Sequence, residues 1–126
     1  MKKILIVLAG YYEGISSSLL KSAKNNLNNF SLKVIKVPGV FEIPTTISKN
    51  IKKYDGFIAL GCVIKGETPH FDFISSASTQ AIMNLSVESK KPIGNGIITC
   101  LNMKQAKARG KKGKEAAMAV ISVLSQ

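Results

Sequence analysis

A chain of 126 residues, 45% hydrophobic and 20% charged, has the length and composition of one globular domain, which argues against a disordered tail. Its 18 Lys and Arg against 7 Asp and Glu give a formal charge of +11, enough to attract nucleic acid or an anionic substrate. One histidine and two cysteines, Cys62 and Cys100, make no metal-ligand cluster, and buried free thiols are the expected state of the cysteines.

Residues 4–9 are an unbroken apolar run and predict the first strand. The run is strand-sized, and Tyr11, Tyr12 and Glu13 interrupt it before any signal-peptide cleavage site, so a soluble cytoplasmic protein is expected. Residues 10–14 make the turn. Its tyrosines, Tyr11 and Tyr12, suit either a core or interface position or a stacking platform for a planar ring. Ser16, Ser17 and Ser18 offer helix caps, and Ile15, Leu19, Leu20, Ala23, Leu27 and Phe30 trace one helical face that ends in an Asn-rich turn. Residues 32–37 predict strand two.

The stretch Val37-Pro-Gly-Val-Phe-Glu-Ile-Pro44 then opens a helix with Ile43, Ile47 and Ile51 on one side. Glu42 near its start reads either as a dipole-favoured surface charge or as an acceptor for a polyol beside Phe41. Residues 56–63 are apolar and β-branched, as in a strand buried on both faces. Gly66 breaks that run. Thr68 is placed to cap the next helix, Pro69 suits its first turn, and Phe71, Ile74, Ala77, Ala81, Ile82 and Leu85 recur at helical spacing until Ser89. Strand four is expected over residues 93–99, where Gly94 and Gly96 flank Asn95 and mark places of close approach. A last helical region starts near Asn102, is interrupted at residues 110–113 and resumes over residues 115–124, with Ala117, Val120, Ile121 and Leu124 apolar.

Strand and helix therefore alternate four times. Right-handed crossovers build from this a four-stranded parallel sheet flanked by helices on both faces, a three-layer, flavodoxin-like α/β fold over residues 1–126 as a single domain. In such sheets ligands bind beyond the carboxyl ends of the strands, and a helix start there offers N–H groups to an anion. His70 would stand at that crevice. Histidine, with an unperturbed pKa of about 6.5, can take and return protons near neutrality. Gly66, Glu67 and Thr68 before it, and Arg109 with its guanidinium fork, suit a phosphorylated small molecule. Acid/base and positioning catalysis without a metal or redox cofactor is expected.

The motifs Val37-Pro-Gly-Val-Phe-Glu-Ile-Pro44, Leu60-Gly-Cys-Val-Ile-Lys-Gly-Glu-Thr-Pro-His-Phe-Asp-Phe73 and Lys112-Gly-Lys-Glu-Ala-Ala117 closely resemble those of the lumazine synthase family, and the resemblance covers essentially the whole chain. It implies a transferase of riboflavin biosynthesis that condenses 5-amino-6-(D-ribitylamino)uracil with 3,4-dihydroxy-2-butanone 4-phosphate to 6,7-dimethyl-8-ribityllumazine, with no cofactor. It also implies roles for residues. Tyr11 stacks on the pyrimidine, Val40, Phe41 and Glu42 bind the ribitylaminouracil, and Cys62, Val63 and Ile64 line the pyrimidine pocket. Glu67 and Thr68 hold phosphate, His70 carries protons, Arg109 binds phosphate with Lys112 nearby, and Asn95 completes the pocket from a neighbouring subunit.

A homo-oligomer is implied as well, a pentamer or an assembly of pentamers with the sites between subunits, and no membrane or nucleic-acid partner is expected. The chain departs from the family pattern in three places. It starts almost at its first core strand, the segment Arg109-Gly-Lys-Lys-Gly113 is several residues shorter than usual, and Thr99-Cys-Leu-Asn102 replaces the more usual threonine and acidic residues.

Two other readings use the charge and the fold. Gly110-Lys-Lys-Gly113 before a helix looks like the GXXG loop with which KH domains clamp a nucleic-acid backbone, which would make the chain a basic RNA-binding module. The strand and helix order does not give a KH topology. A flavodoxin-like flavin carrier would need its phosphate loop after the first strand, where Gly10-Tyr-Tyr-Glu-Gly14 is poor in Ser and Thr.

Overall fold

The two runs that read as buried strands lie in the middle of the sheet. In the computed structural model, which describes residues 1–126, β1 (Lys3–Ala9), β2 (Ser31–Val37), β3 (Gly56–Ile64) and β4 (Ile93–Cys100) pair in the order β2-β1-β3-β4. All three pairings are parallel, with Ile6 opposite Val34 and Ile58, and Leu60 opposite Gly96. Central β1 and β3 are almost entirely buried, whereas edge strands β2 and β4 alternate with exposed positions such as Lys33, Asn95 and Thr99. Full burial on both faces is why the central strands carry uninterrupted apolar sequence.

Helices α1 (Glu13–Lys24), α4 (Met103–Ala108) and α5 (Lys112–Leu124) cover one face. Their Leu19, Ala106, Ala117 and Val120 close a core with Ile4, Ile6, Leu8, Ile58 and Leu60. A short 3-10 turn (Val40–Glu42), α2 (Ile43–Lys49) and α3 (His70–Ser89) lie on the other. There Val40, Ile43, Ile47 and Ile82 pack on Leu5, Val7, Phe57 and Ala59.

Helix starts are where the structure corrects the sequence reading. Helix α1 begins at Glu13 after Tyr12, with no side-chain cap, so Ser16, Ser17 and Ser18 lie inside it. Ser16 is buried and its hydroxyl donates to the Ala9 carbonyl, a turn contact that replaces the expected capping role. Helix α3 begins at His70, which puts Pro69 at the N-cap position, outside the first turn. Thr68 stands one residue farther out, and its hydroxyl accepts from the His70 amide at 3.4 Å.

Helix α5 begins at Lys112, three residues before the expected restart at 115. Gly113 is thus helical and buried, and a Cβ on it would come within 2.1 Å of the Leu19 carbonyl oxygen. Gly94 is close-packed in the same way, since its Cβ would meet the Ala116 carbonyl oxygen at 2.2 Å. These glycines let α5 press onto α1 and β4.

Candidate active site

The strand order reverses between β1 and β3, because the chain leaves β1 for β2 on one side and returns to β3 on the other. Ligands of open α/β sheets bind at that switch point, beyond the carboxyl ends of the strands. A cavity of about 310 Å³ lies there. Its walls are Tyr11 and Tyr12 after β1, Gly39, Val40 and Phe41 after β2, Cys62, Val63 and Ile64 at the end of β3, and His70 and Ile74 of α3. The lining is mostly apolar, and His70 is the side chain in it best suited to exchange protons near neutrality.

The local reasons are visible. Tyr11 and Tyr12 meet edge to face with ring centroids 4.8 Å apart, but their surroundings differ. Tyr11 is 75% exposed, as a stacking platform must be, whereas Tyr12 packs against the core under α1. Burial, then Tyr11 and Cys62, hold the Tyr12 phenol above its ordinary value, so it stays neutral near pH 7. Glu42 is exposed and its Oε1 accepts from the Gly39 amide at 2.9 Å. That bond closes the turn carrying Val40 and Phe41. Glu42 therefore shapes the cavity rim as well as lying beside Phe41.

Cys62 and Cys100 are free thiols, both buried, in the same core layer on neighbouring strands. Burial first, and then the charge and hydrogen bond of Cys100, push the Cys62 thiol up to about 12. It meets the cavity as a neutral, weakly polar wall.

A second hollow, of about 520 Å³, opens along edge strand β4. Asn95, Thr99, Arg109, Lys111, Lys112 and Glu115 line it together with Ile97, Ile98 and Ala108. One Arg109 guanidinium nitrogen donates to the Thr99 carbonyl at 3.2 Å, which holds the fork on this edge. Lys112 faces Glu115 at 3.9 Å. Three cations against one carboxylate leave this hollow suited to an anion.

A family model described as 6,7-dimethyl-8-ribityllumazine synthase matches residues 1–126. The chain belongs to this family. A Bartonella henselae protein named 6,7-dimethyl-8-ribityllumazine synthase is 44% identical over 97% of this chain and 86% of its own length. Proteins of the same name from Agrobacterium fabrum and Afipia carboxidovorans are 42% and 39% identical, over 96% and 97% of this chain and 91% and 83% of theirs.

Against the family's expected site, Tyr11, Val40, Phe41, Cys62, Val63, Ile64 and His70 share the first cavity. Asn95, Arg109 and Lys112 share the second. No residue lines both cavities. Glu67 and Thr68 are exposed in the turn just before His70, next to the cavity without lining it. Sequence reading passed over Ile74, which the helical spacing had assigned to packing, and gave no site role to Lys111 of the basic run around Gly110 and Gly113. It also treated Gly110 and Gly113 as a possible clamp. The structure places Gly110 against the Ser18 hydroxyl and Gly113 against the Leu19 backbone, so their small size serves helix packing.

Proposed function

We propose that this chain forms 6,7-dimethyl-8-ribityllumazine by condensing 5-amino-6-(D-ribitylamino)uracil with 3,4-dihydroxy-2-butanone 4-phosphate, with release of phosphate and water. The observation that carries the reading is the gathering of Tyr11, Val40, Phe41, the Cys62–Ile64 strand end and His70 round one cavity at the switch point of a family member. Tyr11 supplies an exposed ring for the pyrimidine, and Val40 and Phe41 a rim for the ribityl chain. Glu42, fixed to the Gly39 amide, offers its carboxylate to the ribityl hydroxyls. Cys62, Val63 and Ile64 form the wall.

His70 takes a proton from the attacking amine as the imine forms. It returns that proton as water leaves, and takes up and returns one proton again as phosphate leaves and as the ring closes. Glu67 and Thr68, in the turn before α3, bind the phosphate group with Arg109 and Lys112. The placement of Arg109, Lys112 and Asn95 round a different hollow from His70 supports a complete site assembled from two subunits. Helix α3 supports that arrangement, since Phe73, Met83 and Val87 are exposed along it. We assign the chain to a homo-oligomer, a pentamer or an assembly of pentamers, in the cytoplasm. No helix is long and apolar enough to cross a membrane.

The test is to mix the purified protein with both substrates and follow the lumazine optically, with spontaneous condensation subtracted and His70→Ala run alongside. Turnover is expected from the native protein, with a loss of about 100-fold in the variant, the usual scale of a positioned acid/base group. Equal rates in both would remove His70 from the proton-transfer role. No turnover by the native protein would overturn the function itself.

A further inference from the structure

Two hollows of about 370 and 360 Å³ lie on the solvent side of α1; the first adjoins the Arg109 hollow, with which it shares Ala108 and Lys111, and neither shares a residue with the His70 cavity. Lys21, Lys107 and Lys111 border the first, with Ser18 and Asn25 between them. Lys21 and Lys24 border the second, again with Asn25. Sharing Lys21 and Asn25, the two run into one strip from the α4–α5 turn along α1. All four lysines are exposed.

The strip contains no carboxylate. The two ion pairs of the chain, Lys36 with Glu13 and Lys112 with Glu115, lie outside it, so none of the four ammonium groups is neutralised by the protein. Such a row holds counterions, and a phosphate chain that displaces them gains the free energy of their release. Its neutral neighbours are hydroxyls and an amide, groups that hydrogen-bond to phosphate and sugar.

Other partners fit less well. No aromatic ring lines the strip, so it lacks the anchors of a protein interface and the stacking platforms of a base reader. Leu20, its one large apolar residue, is half-buried against the core and does not stand out to enter a membrane.

We propose that this strip is a docking surface for the phosphate backbone of nucleic acid, bound without sequence preference. It departs from the expectation of no nucleic-acid partner, and it does not use the glycines of the α4–α5 turn as a clamp. In sequence Lys21 and Lys24 lie far from Lys107 and Lys111, which belong to the basic run around Gly110 and Gly113. The packing of α5 on α1 through Gly113 brings them together.

The experiment compares the native protein with two charge-reversed variants by fluorescence anisotropy, using a labelled mixed-sequence RNA of about 20 nucleotides, longer than a typical single-strand site. One is K21E/K24E/K107E. The other, K49E/K52E/K53E, makes the same change in net charge on α2 and the turn after it, beneath the opposite face of the sheet. Lys111 is kept because it also borders the hollow with Arg109.

The strip variant is expected to lose at least tenfold in affinity, and its plot of log affinity against log salt to be shallower by about two, as three lost single-strand phosphate contacts require. The control should lose less than threefold, and both should keep lumazine formation and native assembly. Equal losses in the two variants would reduce the binding to net charge and overturn the proposal. So would an absence of RNA binding by the native protein at about 0.1 M salt. Phosphatidylserine vesicles are the third arm, and strip-dependent vesicle binding with strip-independent RNA binding would overturn it in favour of a membrane.

Discussion

On one face of the sheet α1 and α5 bring Leu19, Ala116, Ala117 and Val120 into a closed layer over β1, β3 and β4. On the other, the 20-residue α3 buries only Ser78 and Ile82 and leaves Phe73, Met83 and Val87 in water. The first face owes its closure to small residues. Gly94 and Gly113 admit backbone to within contact of backbone, so that the chain by itself completes the layer. The second face carries large apolar side chains that the chain does not cover, along the helix that begins with His70. One face therefore holds the subunit together, and the other, in the function proposed above, joins it to its neighbours and to the other half of its site.

The sharpest way to break this contrast is to charge the open face. Phe73→Glu combined with Val87→Glu should leave the far-ultraviolet circular dichroism of the chain intact. Sedimentation should show the assembly reduced to monomers, and lumazine formation should fall by more than about 100-fold to the spontaneous rate, because the halves of the site are separated. A variant that stays assembled would show that α3 is not the joining surface.

Next in size is damage to the closed face. Gly113→Val puts a branched side chain where even a Cβ would lie 2.1 Å from the Leu19 carbonyl oxygen, and should cost about 3 kcal/mol in urea unfolding. Gly66→Ala, at a position whose Cβ meets nothing within 4 Å, should change little.

A smaller effect separates the two hollows functionally. Arg109→Lys keeps the charge but removes the planar fork, and should raise KM for the butanone phosphate about tenfold while leaving KM for the ribitylaminouracil unchanged. A change in both constants would mean that Arg109 serves the structure of the β4 edge and not the phosphate. The smallest expected change is a gain. Helix α3 ends at Lys90 with φ of 60°, the one non-glycine residue with positive φ, so Lys90→Gly should stabilise the chain by about 0.5 kcal/mol in the same unfolding assay.

The sheet was legible in the sequence because burial on both faces leaves an unmistakable trace. The runs at Ile4–Ile6–Leu8 and Ile58–Leu60–Cys62, with the residues between them, admit no amphipathic helix. Helix starts were less legible. Three serines drew the start of α1 too far along, although Ser16 turns inward to the Ala9 carbonyl. Gly113 looked like a break because sequence shows a missing side chain without showing the helix that fills its place.

Among the site residues, the motifs from Val37 and Leu60 carried the first cavity nearly whole. The resemblance set Asn95 apart from it, but the separate hollow of Arg109 and Lys112 was not legible residue by residue, because it forms along β4 as an edge strand. Helical spacing marked Ile74, Ile82 and Leu85 as one apolar face of α3. Spacing alone does not say whether such a face is covered by its own chain or by another, and Phe73, Met83 and Val87 lie off that stripe.

The cysteine pair has a chemical consequence for the reaction. A ketone substrate placed against a thiolate is at risk of capture, because the thiolate form adds readily to carbonyl carbon. Burial first, and then Cys100, hold the Cys62 thiol well above its ordinary value, so at neutral pH it stays in the protonated, unreactive form. In the function proposed above, that wall of the cavity is therefore chemically quiet, and the condensing amine meets no competing thiolate from Cys62.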